Sequence, residues 1–216
     1  LDPSFRRHRL MEQARAAWKP ESEEIKELPE AAKAVLEPKD IQTTEELYLT
    51  GLHLEQYRHA TYLATDYYQE ALRRDPSDVR NNNALGLWLL RKGQFAKAEP
   101  YLREAVKTLT AKSPNPYDGE PLYNLGLSLK YQGRFAEAYD CFYKSCWNAA
   151  WQDVGYYSLA QISVARRDWE NALYEIDKSL MRNWCNLRGR HLKTIVLRHL
   201  GAVSYTHLRA HETGRN

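Results

Sequence analysis

The chain has 216 residues, 43% hydrophobic and 12% aromatic, enough for one sizeable core or for a string of small units sharing one. Its 31 basic and 28 acidic side chains leave a net charge of +3, mixed along the chain and gathered into no stripe, which argues against nucleic acid or an anionic membrane as a partner. Three cysteines, Cys141, Cys146 and Cys185, give an odd count without a CxxC pair, and no apolar run reaches the roughly 18–20 residues of a membrane span; disulfide frameworks, zinc ribbons and spanning helices are disfavoured, and a reducing, cytoplasmic setting is expected.

Residues 1–44 read as a lead-in. "RRHRLMEQARAAW" and "EEIKELPEAAKAVLEP" have helical spacing broken by Pro20, Pro29 and Pro38, and the charge run 21–30 is a solvated face. The opening lacks both an initiating Met and the apolar stretch of a signal peptide, so a longer parent chain is expected upstream.

The segment 45–78 is a loose helical hairpin. Leu47, Gly51 and Leu54 mark its first helix, Ala64, Tyr68 and Ala71 its second, and Asp75-Pro76 its stop, with one extra residue in the turn. Two tighter copies come next. "NNNALGLWLLRKGQFAKAEPYLREAV" and "EPLYNLGLSLKYQGRFAEAYDCFYKS" superimpose without a gap, placing Leu85-Gly86, Gly93, Phe95 and Ala98 on Leu125-Gly126, Gly133, Phe135 and Ala138. Gly126 stands 40 residues after Gly86, whereas Ala160 of the next copy stands 34 after Gly126; the surplus falls in "AKSPNPYDGEP", a loop by its Pro, Gly, Asn and Asp. The units thus span 79–118, 119–152 and 153–186. A last first helix, 187–201, ends at Gly201 in the register of Gly133 and Arg167.

Each copy is predicted to be two amphipathic helices joined where Gly93 or Gly133 takes positive φ, with Phe95, Phe135 or Trp169 opening the second helix. Gly86, Gly126 and Ala160 are expected to face Ala98, Ala138 and Ala172 at a close seam. Leu85, Leu89, Leu102, Leu125, Leu129, Phe142, Leu159 and Ile176 are expected to build one continuous core, joined by Tyr67-Tyr68, Tyr156-Tyr157, Trp147 and Trp151. The fold class is therefore all-α, an α-solenoid.

These recurring positions resemble the tetratricopeptide repeat over about 45–201, although Asn82, Leu122 and Tyr156 stand where that family has a Trp. The resemblance implies a right-handed superhelical stack whose concave face is lined by first helices. Outward positions there are Asn83 and Arg91, then Tyr123, Lys130 and Tyr131, then Tyr157 and Gln161. Amide, cation and tyrosine together suit an extended peptide, a sugar ring, or another domain of the same parent protein. Longer phrases, "EELYLTGLHLEQYRHAT", "SPNPYDGEPLYNLGLSLK" and "WNAAWQDVGYYSLAQ", resemble the C-terminal repeat region of large bacterial proteins with a mutarotase-like upstream domain. That resemblance implies a helical arm of a carbohydrate-active or sugar-binding parent.

No catalytic set emerges from the chain, and neither metal nor cofactor is expected. Cys141 and Cys146 lie five apart on one helix and diverge, so they read as buried thiols; His53 and His59, six apart, read as packed or capping residues. His207 and His211 stand four apart beside Glu212, but HExxH needs the glutamate between the histidines. The pattern stops instead of supplying a second helix after Gly201. Residues 203–216, "VSYTHLRAHETGRN", resemble a translated sequencing adapter and are expected to be foreign to the protein. The helix left unpaired at 187–201 should then expose Leu192, Ile195 and Val196 and favour self-association.

Overall fold

The structure, a computed structural model, describes residues 34–57 and 61–201. Contacts divide the chain into Leu1–Val35 and Leu36–Asn216, and the helical array belongs to the second unit. Most of the lead-in, His59, the histidines near the C-terminus and all of 203–216 lie outside the described residues.

The described residues are all helical or loop. In chain order they form α1 (Thr44–Gln56), α2 (Ala64–Arg74), α3 (Val79–Arg91), α4 (Phe95–Thr110), α5 (Glu120–Tyr131), α6 (Phe135–Ser145), a 3-10 turn (Ala149–Trp151), α7 (Gln152–Ala165), α8 (Trp169–Arg182) and α9 (Leu187–His199). Odd-numbered helices are first helices of hairpins and even-numbered ones second helices. Each packs on its chain neighbours, and the first helices also meet one another along the stack, α1 on α3, α3 on α5 and α7 on α9. Second helices approach each other less, so the first helices form the inner layer of the curve.

The hairpin turns are set by backbone chemistry. Gly93 and Gly133 take φ of 72° and 80°, and Arg167 takes 61° in the same register. At each turn two donors return to orphaned helix carbonyls: Gly93 N–H to Leu90 and Gln94 N–H to Leu89, both at 2.9 Å; Gly133 N–H to Lys130 and Arg134 N–H to Leu129; Arg167 N–H to Val164 and Asp168 N–H to Ser163. Between hairpins the starts of α3 and α9 are capped by side chains. Asp78 accepts from Asn81 N–H at 2.8 Å, and Asn186 accepts from Gly189 N–H at 3.0 Å. Asn82, where the family has its Trp, instead donates to the Pro76 and Asp78 carbonyls at 2.8 and 2.9 Å and closes the turn before α3.

The eight expected core residues are all buried, none more than 9% exposed, and most of them join Tyr68 and Ile162 in one cluster running from α2 to α7. The seam differs in detail from expectation. Gly51, Gly86 and Gly126 face the large side chains Tyr68, Leu102 and Phe142, not the alanines: a Cβ built on Gly126 would lie 2.7 Å from the Phe142 ring. The side chain one turn after the alanine lies back across the first helix; glycine leaves room beneath it in the first three hairpins, and Ala160 packs with Ile176 in the fourth.

Two aromatic expectations fail. Trp147 is 61% exposed and Trp151 only half-buried, because both fall after the end of α6, where the chain turns over the surface. Tyr67 and Tyr68 are buried, while Tyr156 and Tyr157 are half-buried. On α9, Val196 is fully buried and Leu192 packs against the Ala160, Ile176 and Leu180 cluster, leaving Ile195, at 47%, as the exposed member of the expected trio. The face of α9 bearing Leu192 and Val196 is the one that meets α8, so the repeat already covers it.

Residues 36–42 are tied to α2. Tyr67 donates its hydroxyl to the Leu36 carbonyl at 2.9 Å, and the Arg74 guanidinium donates to the carbonyls of Pro38, Lys39, Ile41 and Gln42 while pairing with Glu70 at 2.7 Å.

Candidate functional site

The seven expected surface residues lie on three first helices: Asn83 and Arg91 on α3, Tyr123, Lys130 and Tyr131 on α5, Tyr157 and Gln161 on α7. Their surroundings differ. Asn83 is 9% exposed, and its Oδ1 accepts from Asn124 Nδ2 at 2.9 Å, so it ties α3 to α5. Arg91 is exposed and ion-paired with Glu55 of α1. Tyr123 is half-buried, its ring 5.5 Å from Phe142 and 5.2 Å from Trp151; burial pushes its hydroxyl pKa up, against a hydrogen bond with Ser158. Tyr131, 60% exposed, stacks on Phe95 at 4.7 Å. Tyr157 packs on the Ala160, Ile176 and Leu180 cluster.

The structure brings two of the seven directly together. Lys130 Nζ donates to Gln161 Oε1 across the gap between α5 and α7. Lys130 is half-buried, makes no ion pair among the described residues, and burial pushes its pKa down. On α3 the two arginines have acidic partners: Arg80 pairs with Glu45 at 2.8 Å and lies 5.1 Å over the Tyr48 ring, and Arg91 meets Glu55. Lys130 is thus a cation held by a neutral amide.

Tyr48, Glu45, Arg80 and Asn124 complete this surface, and sequence reasoning missed them. Tyr48 was legible, because it occupies in α1 the place that Asn83, Tyr123 and Tyr157 occupy in α3, α5 and α7. The pairings were not, because they join residues one repeat apart whose side chains have several possible neighbours.

The buried titratable groups are committed to structure. Glu175, 3% exposed on α8, accepts from Tyr139 of α6 at 2.5 Å and Ser163 of α7 at 2.6 Å; burial pushes its pKa up. Cys146 is buried and Cys141 half-buried, and burial pushes their thiols up to about 12 and about 11, away from reactivity. His53 is exposed beside Tyr57, 4.5 Å away. Among the described residues no group of three His, Cys, Asp or Glu is placed to hold a metal ion.

Stacked hairpins, glycine turns and an inner layer of first helices define this molecule as an α-solenoid of the tetratricopeptide-repeat (TPR) type. Among solved structures it is similar to MamA (TM-score 0.62, 19% identity, 73% of this chain and 83% of that one) and to PilF of Pseudomonas aeruginosa (0.62, 21%, 74% and 69%). It is also similar to YrrB, a TPR protein with an unusual peptide-binding site (0.55, 24%, 69% and 74%). The sequence matches no protein-family model.

Proposed function

We propose that the chain is a non-catalytic interaction module whose inner face holds an extended segment of a protein partner. The observation that carries this reading is Lys130: a half-buried ammonium bonded to the neutral Gln161, on the face where Arg80 and Arg91 have carboxylate partners. A charge already stripped of part of its water gains most from an incoming carboxylate. The half-buried rings of Tyr123 and Tyr157, on either side of the α5/α7 gap, and the exposed Tyr131 supply apolar contact. The likeness to YrrB, a TPR protein with a peptide-binding site, agrees with this use of the fold.

Peptides selected on the immobilised chain from a random displayed library test the reading. Binders should carry Asp or Glu, and Lys130→Gln, which can keep the bond to Gln161 but removes the charge, should weaken them about tenfold or more. Acidic selected peptides that bind Lys130→Gln and Tyr131→Ala as tightly as the parent would overturn it. Tyr123→Ala is a poor probe, since it strips support from Phe142 and Trp151.

If the longer phrases reflect a carbohydrate-related parent, the same face would seat an upstream domain of that polypeptide. Coding sequence upstream of Leu1 decides this: a β-rich domain with paired carboxylates supports it, and its absence removes it.

A further inference from the structure

We propose that the outer face of the last two hairpins, over α6 and α8, is a second docking surface, and that its occupant is an acidic amphipathic segment of a protein partner. The second helices show a change of character along the stack. Outward positions on α4 are Pro100, Arg103, Glu104 and Lys107, an ordinary solvated set. The same register on α6 and just beyond it gives Asp140, Tyr143, Lys144 and Trp147, and on α8 Tyr174, Asp177, Lys178 and Met181. Tyr143, Trp147, Tyr174 and Met181 are 53%, 61%, 58% and 76% exposed. Single exposed apolar side chains are ordinary on a soluble protein; a repeated series in adjacent helices is not.

Tyr143, Tyr174 and Met181 share one surface around Tyr156. Tyr156, half-buried on α7, lies near enough to Tyr143 and Tyr174 for both to bear on its hydroxyl. It lines a shallow cavity with Gln152, Lys178, Met181 and Arg182, and Met181 is also the wall of a second cavity lined by Asp177, Leu180, Trp184 and Lys193. Met181 therefore joins two depressions into a strip.

Charge selects the occupant. Lys144, Lys178 and Arg182 border the strip; Lys178 lies 5.3 Å over the Tyr174 ring, and Arg190 4.4 Å over that of Trp184. Against them stand Asp140, exposed on α6, and Glu170, exposed on α8 one turn before Tyr174. Asp177 is taken up by Lys193 at 2.5 Å, and Asp153 by Ser179 and Asn183 at 2.9 and 2.8 Å. Apolar anchors at helical spacing within a cationic border fit a helix that carries leucine-like residues on one side and carboxylates on the other.

The test is fluorescence anisotropy with a labelled synthetic peptide of Leu and Glu at helical spacing, its Lys-for-Glu counterpart and a scrambled Glu peptide. The Glu peptide should bind best, weaken with added salt, and lose about tenfold or more on Met181→Asp and, separately, on Lys178→Glu, both surface changes. Equal binding by the Lys peptide, or undiminished binding to both variants, overturns the proposal. Loss of binding on Lys130→Gln would assign the probe to the inner face and also overturn it, leaving the groove reading intact. A concentration-dependent dimer abolished by Met181→Asp would show that the surface meets a second copy of the chain, and overturns the acidic partner.

Discussion

Arg167 holds φ at 61° where Gly93 and Gly133 stand in the preceding turns. A side chain there crowds its own carbonyl, at a cost of about 1 kcal/mol or a little more. Arg167→Gly should therefore raise stability by about 1 kcal/mol in urea denaturation, while Gly133→Ala, at φ 80° with open space around it, should lower it by a similar amount. Glu175 presents a different residue-scale cost. Its pKa is raised in the folded chain, so the stability it allows is full below its unfolded pKa and is lost as pH rises through the folded value. Glu175→Gln does not titrate, and its amide can still bond the Tyr139 and Ser163 hydroxyls. The variant should melt higher than the parent at pH 7, with the advantage shrinking as pH falls below the carboxylate range.

At the scale of the element, the seam between the first three pairs of helices is set by glycine under a large side chain. Gly126→Ala should gain up to about 1 kcal/mol of helix propensity but places its Cβ 2.7 Å from the fully buried Phe142, and overpacking of that kind costs about 1–3 kcal/mol. Overpacking wins, so the expected result is a lower melting temperature. A second element-level tie is Tyr139 to Glu175, which joins α6 to α8 while Ser163 brings in α7. Tyr139→Phe removes one donor from a buried carboxylate and should cost about 1–3 kcal/mol. The helices themselves were legible in the sequence because their signals are local: Gly93, Gly133 and the Phe or Trp two residues on fix each turn within a few bonds. The seam was read half correctly. Gly126 was identified as a contact residue, but its partner is Phe142 rather than Ala138, since the direction in which a helical side chain leans is not written in spacing alone.

For the whole molecule, the repeat gave the stack and its core, and it left unread what passes between repeats. Asn83 to Asn124, Glu55 to Arg91 and Lys130 to Gln161 are lateral bonds, and each depends on which of several polar side chains at a similar offset wins the contact. The same limit explains Trp147, whose type suggested core while its place after α6 exposes it. It also explains why the inner face contains fewer free groups than its composition promised: Asn83 and Arg91 are already engaged, and Lys130 stands apart by bonding only a neutral amide.

Arg74 links residues 38–42 to α2 through their own carbonyls, so what it recognises there is main-chain shape and not side-chain identity. Those residues can therefore drift in sequence while the edge of the array stays sealed, provided the guanidinium remains; a lysine, with one compact donor group in place of a fork, could not span the same carbonyls. The attachment of residues 38–42 rests largely on that one side chain, and Arg74→Lys should speed amide hydrogen exchange in residues 38–42 and the first hairpin while the exchange of α5 to α8 keeps its pace.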